Sequence, residues 1–401
     1  MVSAYIIGLG FVFPQGVTIS SYAKQIFTPE ALRRKTSVTK LNGSTVTFEY
    51  MPILRESLAT QLEEFDSRKM DRSTEFLTCA MNAALGKLGA VANDLETTSI
   101  RTGIGNSIAS SLVQFEKSII DFGPRRCDIG IFPNTVMCAP SSKVAIVNKV
   151  RGENTTISSG KCSGLDALGL SFFEIVSTGS SLAIAGATDA LSTDVLLSYA
   201  EEKIVRDFEK TSLSNAADKD TFIIPSEGAC VFMLSSAKSL KSKNTHPLAA
   251  IVAYRSNYSP GKHGDIPGRS ADIYSLIDTM VDWEIFDKES VDYILTCTNK
   301  DSWEGQAIND SINRFFDSSG SGNVILSIEN KTGEAYALAG GHLTIFALGL
   351  FDGTITRHDI KELIVDKSIA ERQHCSQDVK RVLLLCLDVA GHNSAIIIDN
   401  I

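Results

Sequence analysis

Short runs rich in Val, Ile and Leu alternate along this chain with longer segments of helical period, and that alternation confines it to an α/β fold with buried, mostly parallel strands. The pattern predicts strands at 4–9, 155–158, 182–186, 222–234, 248–254, 293–297 and 324–326, and helices at 73–88, 163–177, 272–280, 307–316 and 334–350. Two distant segments look alike. The stretch from Phe222 and the stretch from Val382 each read as an apolar run, a Gly-containing turn and a second apolar run, hence a hairpin. One hairpin closing each of two halves implies a duplicated architecture, divided at the polar stretch Ser235-Ser-Ala-Lys-Ser-Leu-Lys-Ser-Lys-Asn-Thr-His-Pro into 1–240 and 241–401.

Charge then removes whole classes of function. Lys plus Arg is 38 against 47 Asp plus Glu, a net charge of −9 with no basic block, so nucleic acid and anionic membrane surfaces are poor partners. The apolar stretch at 343–351 is far shorter than the roughly 18 residues of a membrane span. The opening MVSAYIIGLGFVFPQG has no cationic segment, so it is expected to be a buried strand, and a cytoplasmic location follows. The eight cysteines (79, 127, 138, 162, 230, 297, 375, 386) form no CxxC pair and read as buried free thiols. The six histidines (246, 263, 342, 358, 374, 392) have no metal-ligand spacing, so no metal is expected.

The densest chemical signal is Thr155-Thr-Ile-Ser-Ser-Gly-Lys-Cys-Ser-Gly-Leu-Asp-Ala-Leu-Gly-Leu. A short strand runs through a tight turn into a helix, which places Lys161 and Cys162 at the helix N-terminus. Free backbone N–H groups there stabilise a thiolate or an oxyanion. Leu165, Leu168 and Phe172 recur at helical spacing and read as core.

Together with Ile7-Gly-Leu-Gly, Phe132-Pro-Asn-Thr, Ala185-Gly-Ala-Thr-Asp-Ala, Glu227-Gly-Ala, Lys331-Thr-Gly-Glu and Ala390-Gly-His-Asn, this segment resembles the β-ketoacyl-acyl-carrier-protein synthases over nearly the whole chain. The resemblance implies the thiolase fold, a duplicated α/β structure in five α-β-α-β-α layers. It also implies a cysteine nucleophile that attacks thioesters and two histidines that stabilise the enolate formed on loss of carbon dioxide. This chain departs at each of those positions. Anchored on Ser163-Gly164, the nucleophile position holds Lys161, with Cys162 one residue late. Thr298 and Glu334 match the two histidines, Glu329 the lysine of the second histidine motif, and Leu343 a buried glutamate. A carboxylate near a developing enolate opposes it by several kcal/mol at an effective dielectric of about 20. A lysine amine would form an amide that does not turn over.

Within the resembling family, loss of the nucleophile and of the histidines is the pattern of the chain-length factor, the silent subunit of two-component ketosynthases of type II polyketide assembly, although glutamine is the commoner replacement for the cysteine. That likeness implies a heterodimer with an active ketosynthase, service from an acyl carrier protein whose phosphopantetheine arm enters the partner, and no bound cofactor. Phe115, Asn134 and Met137 lie in segments resembling those that line the interface and the tunnel, where bulk acts as a ruler. Val389 matches a position whose N–H helps form the oxyanion hole and is expected to be only structural; His392 stands where the resembling family has threonine and is expected to be a surface histidine or one supporting the site from behind, not a catalytic one. Lys161 and Glu334 are expected to meet as a buried ion pair, the alternative being a lysine turned to solvent. The competing reading is a homodimeric synthase or acyltransferase using Cys162, and a third is a stand-alone acyl-binding protein.

Overall fold

A computed structural model describes residues 3–58, 70–86, 95–207, 222–243, 245–259, 264–282, 290–316, 324–365 and 378–401. His263, His374, Cys375 and the end of the 73–88 helix lie outside the described residues. Strands β1 (Ala4–Val12), β4 (Ser99–Ile104), β5 (Asn154–Ile157), β6 (Leu182–Asp189), β7 (Gly228–Ser236), β8 (Ala249–Tyr258), β9 (Tyr293–Thr296), β10 (Val324–Ser327), β11 (Arg381–Leu387) and β12 (His392–Asp399) form one ten-stranded mixed sheet. β2 (Arg34–Thr39) and β3 (Thr45–Tyr50) form a separate hairpin.

The strand order is β10-β9-β11-β12-β8-β1-β7-β6-β4-β5. Read outward from the central β8–β1 seam, β1-β7-β6-β4-β5 and β8-β12-β11-β9-β10 are the same topology: two antiparallel contacts followed by two parallel ones. The chain folds as a repeat of one five-stranded unit, with the sheet half antiparallel where mostly parallel strands were expected. Side chains of β11 separate by parity as a strand buried on both faces requires. Leu384 and Cys386 join a core with Leu165, Leu168, Phe346 and Phe232, whereas Leu383, Leu385 and Leu387 pack with Ile277 and Phe315. The helices Ser163–Thr178 and Ala339–Phe351 therefore lie between the two halves of the sheet. The helices Arg72–Gly86 and Ala139–Val147 cover one outer face, and Ile266–Asp282 and Trp303–Phe316 the other. This helix, sheet, helix, sheet, helix stack is the thiolase-like fold.

Two elements differ from the sequence pattern. The 382–398 hairpin forms as β11 and β12, but 222–234 does not make one. Residues 222–227 run as an extended link, bridging Met51 and Glu334, and only Gly228 onward pairs as β7. The helix expected from 334 starts at Ala339, because the Glu334 N–H and C=O are engaged by Ile224 and Ser226 and cannot enter a helical ladder.

Candidate functional site

The turn between β5 and the Ser163–Thr178 helix is built by its own serines. Ser163 Oγ accepts the Ser159 N–H at 2.9 Å and donates to the Gly160 carbonyl at 2.7 Å, folding Gly160–Cys162 into a 3-10 turn. The helix then passes the Tyr336–Leu338 turn, which leads into its inner partner, at backbone distance: a Cβ on Gly164 would stand 2.5 Å from the Ala337 carbonyl oxygen. Ser163-Gly164 is thus a folding motif as well as part of the resemblance, and it fixes where Lys161 lies.

Lys161 Nζ is in close contact with Glu334 Oε2 and lies 3.7 Å from Glu329 Oε1, so the expected ion pair is in place, with Glu329 as a third member. All three side chains are largely buried, at 15%, 6% and 11% exposure. Burial alone would lower the lysine's pKa, but Glu329 and Glu334 outweigh it and hold the ammonium well above its ordinary value. Glu329 is raised to about 7 by burial and by Glu334, against the pull of Lys161 and an N–H from Asn299. One ammonium faces two carboxyls, so Glu329 keeps its proton to higher pH than an ordinary carboxyl does. A cavity of about 260 Å³, lined by Arg33, Arg206, Ile224, Gly333, Glu329 and Glu334, reaches the two glutamates. Lys161 is not among its lining residues.

Cys162 points the other way. Its Sγ is fully buried in the inter-sheet core, 3.2 Å from the Cys386 carbonyl oxygen. Burial first, then Cys386 and Asp166, push its thiol well above the ordinary range, so it holds its proton. A nucleophilic role for Cys162 has no support in this geometry.

The remaining sequence-predicted residues divide. Thr298 is buried beyond β9, next to the Asn299 whose N–H meets Glu329. Leu343 is wholly buried in the inner helix Ala339–Phe351 as core. His392 bonds through Nε2 to Asp166 Oδ2 at 2.8 Å, away from Lys161, in a cluster where Tyr254 and Ser394 also donate to Asp166. Val389 is exposed at the β11–β12 turn. Asn134 accepts from Lys143 and lines a second cavity of about 650 Å³ beside Arg72, Ser107 and Gln114. Phe115 and Met137 are half-buried outside its lining, with Phe115 packed 5.4 Å from the Phe132 ring.

Sequence reasoning missed three site residues. Asp388 accepts the Lys161 N–H at 3.0 Å; its signal was a lone acid ending the apolar run of β11. Tyr336 holds a strained φ of +46°, with its N–H bonded to Glu334 Oε1 at 2.9 Å. Asp189, raised to about 7 by burial, accepts from the Ala337 and Asn106 N–H groups and the Ser107 hydroxyl, tying β6 to the Glu334 loop.

Comparison with known proteins agrees with this architecture. Solved structures similar over the whole chain include a type II polyketide synthase acyl-carrier protein in complex with its ketosynthase bound to the hexaketide (TM-score 0.79, 19% identity, all of both chains). Another is the ishigamide ketosynthase/chain length factor (TM-score 0.71, 18% identity, 100% of this chain and 99% of that one). Curated relatives include 3-oxoacyl-[acyl-carrier-protein] synthase 2 of Synechocystis sp., 26% identical over 62% of this chain and 61% of its own. The granaticin polyketide putative beta-ketoacyl synthase 1 of Streptomyces violaceoruber is 22% identical over 60% of each chain. The matches thus span about three-fifths of these relatives' length. The family model described as "Beta-ketoacyl synthase, N-terminal domain" matches residues 3–239, more than half of the sequence, and on that match the chain belongs to the β-ketoacyl synthase family.

Proposed function

We propose that this chain is the catalytically silent, chain-length-determining subunit of a heterodimeric ketosynthase, paired with an active ketosynthase that condenses malonyl units carried on an acyl carrier protein. The observation that carries this reading is the ion cluster. The side chain at the nucleophile position is an ammonium locked by Glu334 and Glu329, while the adjacent thiol is turned into the core and protonated. No group there can hold an acyl chain as a thioester, and two carboxyls stand where an enolate would need positive charge or hydrogen-bond donors.

The surface supports a partner. Ile120, Phe122, Ile129, Phe132 and Ile146 are exposed on neighbouring segments, Ile120 and Ile146 by 79% and 77%. Among the described residues β5, at one end of the sheet beside them, pairs only with β4. A monomer rarely leaves so much apolar surface and an open strand edge together. The Asn134 cavity next to this patch is where chain length would be measured, and with a net charge of −9 the subunit leaves carrier docking and the phosphopantetheine arm to its partner.

The test is co-expression with a candidate ketosynthase, size-exclusion chromatography and a malonyl condensation assay. A one-to-one complex that condenses, and still does so with Cys162→Ala, is expected. Condensation by this chain alone, abolished by Cys162→Ala, would overturn the proposal in favour of a homodimeric enzyme.

A further inference from the structure

At the head of the Ser163–Thr178 helix the Lys161 N–H faces the β11–β12 turn, and a donor in that place favours a negatively charged oxygen. In this protein that place is taken by a side chain of the same molecule. Asp388 Oδ2 accepts the Lys161 N–H at 3.0 Å and Oδ1 accepts the Ala390 N–H at 2.8 Å. The residue is only 5% exposed, and its backbone is fixed on both sides. Its N–H donates to the His392 carbonyl at 2.9 Å, and its own carbonyl receives the Gly391 N–H at 3.0 Å and Arg269 Nη2 at 2.6 Å. The helix turn is shaped around the carboxylate. Gly160 has φ +64°, and a Cβ there would stand 1.9 Å from Asp388 Oδ2.

We propose that the Asp388 carboxylate is an internal ligand that occupies the backbone N–H at the nucleophile position, that of Lys161, closing this donor to acyl thioesters independently of the Lys161, Glu334 and Glu329 side-chain cluster. A thioester carbonyl brings a partial charge, so it cannot displace a full carboxylate tethered by its own backbone. What the donor would otherwise bind rests on the silent-subunit reading. The closure itself does not, and its test needs neither partner nor condensation.

The decisive measurement puts a reporter thiol at the helix head. Lys161→Cys, Lys161→Cys/Asp388→Asn and Lys161→Cys/Asp388→Gly are made in the full chain and alkylated with iodoacetamide across pH 6 to 10. The peptide carrying position 161 is followed by mass spectrometry, with Cys127 and Cys138, which lie outside the buried set, as internal references. With Asp388 in place its charge opposes the thiolate. Removing it in the Gly variant is expected to lower the thiol's apparent pKa by about one unit or more and to speed alkylation at pH 7 about tenfold, with Asn intermediate. Equal profiles in all three variants would overturn the proposal. If the Gly variant loses its cooperative unfolding transition, the Asn variant decides by the same criterion, since its amide keeps the shape without the charge. A second readout leaves Lys161 untouched. In Asp388→Asn, hydrogen exchange of the segment around Lys161 should quicken and be slowed again by millimolar acetate; exchange unchanged from the parent chain also overturns the proposal.

Discussion

Removing the Lys161 side chain should hurt this protein more than removing either glutamate, because Lys161→Met strands two buried carboxyls whereas Glu334→Gln leaves Lys161 with Glu329. The expected cost of Lys161→Met is about 3 kcal/mol in urea unfolding at pH 7, with much of it recovered in Lys161→Met/Glu334→Gln. A cost below about 1 kcal/mol would mean the cluster is not formed. Two buried groups also set opposite pH trends. His342, stacked on Phe13 and bonded through Nδ1 to the Tyr22 hydroxyl, is lowered by burial from 6.5 to about 3. Below pH 6.5 the unfolded chain takes a proton that the native one refuses, so this stability is lost as pH falls. Glu329, raised from 4.5 to about 7, keeps in the native state a proton that the unfolded chain releases above 4.5, so its contribution is lost as pH rises through 7. Relative to the parent, His342→Gln should therefore gain about 2 kcal/mol on going from pH 7 to 5, and Glu329→Gln a similar amount from pH 5 to 8. Thermal unfolding across that range checks both signs.

At the scale of elements, the turn at Gly160 and the turn at Asp388 are one mechanical unit joined across 227 residues of sequence. Gly160→Ala forces both a positive φ on alanine and a clash with the carboxylate, and should cost about 2 kcal/mol. In an Asp388→Gly background only the backbone penalty remains, about 1 kcal/mol, and a double-mutant cycle on unfolding free energy measures the difference. The same pairing explains what the sequence could and could not disclose. Lys161, Glu329 and Glu334 could be placed from local motifs, because each sits at a fixed offset from a recognisable turn. Asp388 could not, since its role exists only where β11 meets the Lys161 turn. β4 escaped notice because Arg101 interrupts its apolar run, buried against Glu174 and Glu153 from neighbouring segments. The 222–234 stretch misled in the opposite sense: its first apolar residues serve a link that pins Glu334, a use that hydrophobic periodicity does not distinguish from a strand.

On the scale of the whole molecule, the apolar patch around Phe132 and Ile120 and the edge of β5, open among the described residues, are where the proposed partner should bind. Phe132→Asp with Ile120→Glu should weaken the proposed complex with an active ketosynthase at least about tenfold in a binding titration, and leave the melting temperature of the isolated chain unchanged because both side chains are exposed. An unaltered affinity would place the interface elsewhere. The repeat about the β1–β8 seam has a kinetic corollary. Lys161 comes from the first five-stranded unit, while Glu329, Glu334 and Asp388 all come from the second. The lysine has no counter-charge from these groups until both units have formed and docked, so the cluster is assembled late on the folding path. Substitutions in it should quicken unfolding while leaving refolding nearly unchanged, which makes the Lys161 cluster a clasp that governs the lifetime of the folded chain.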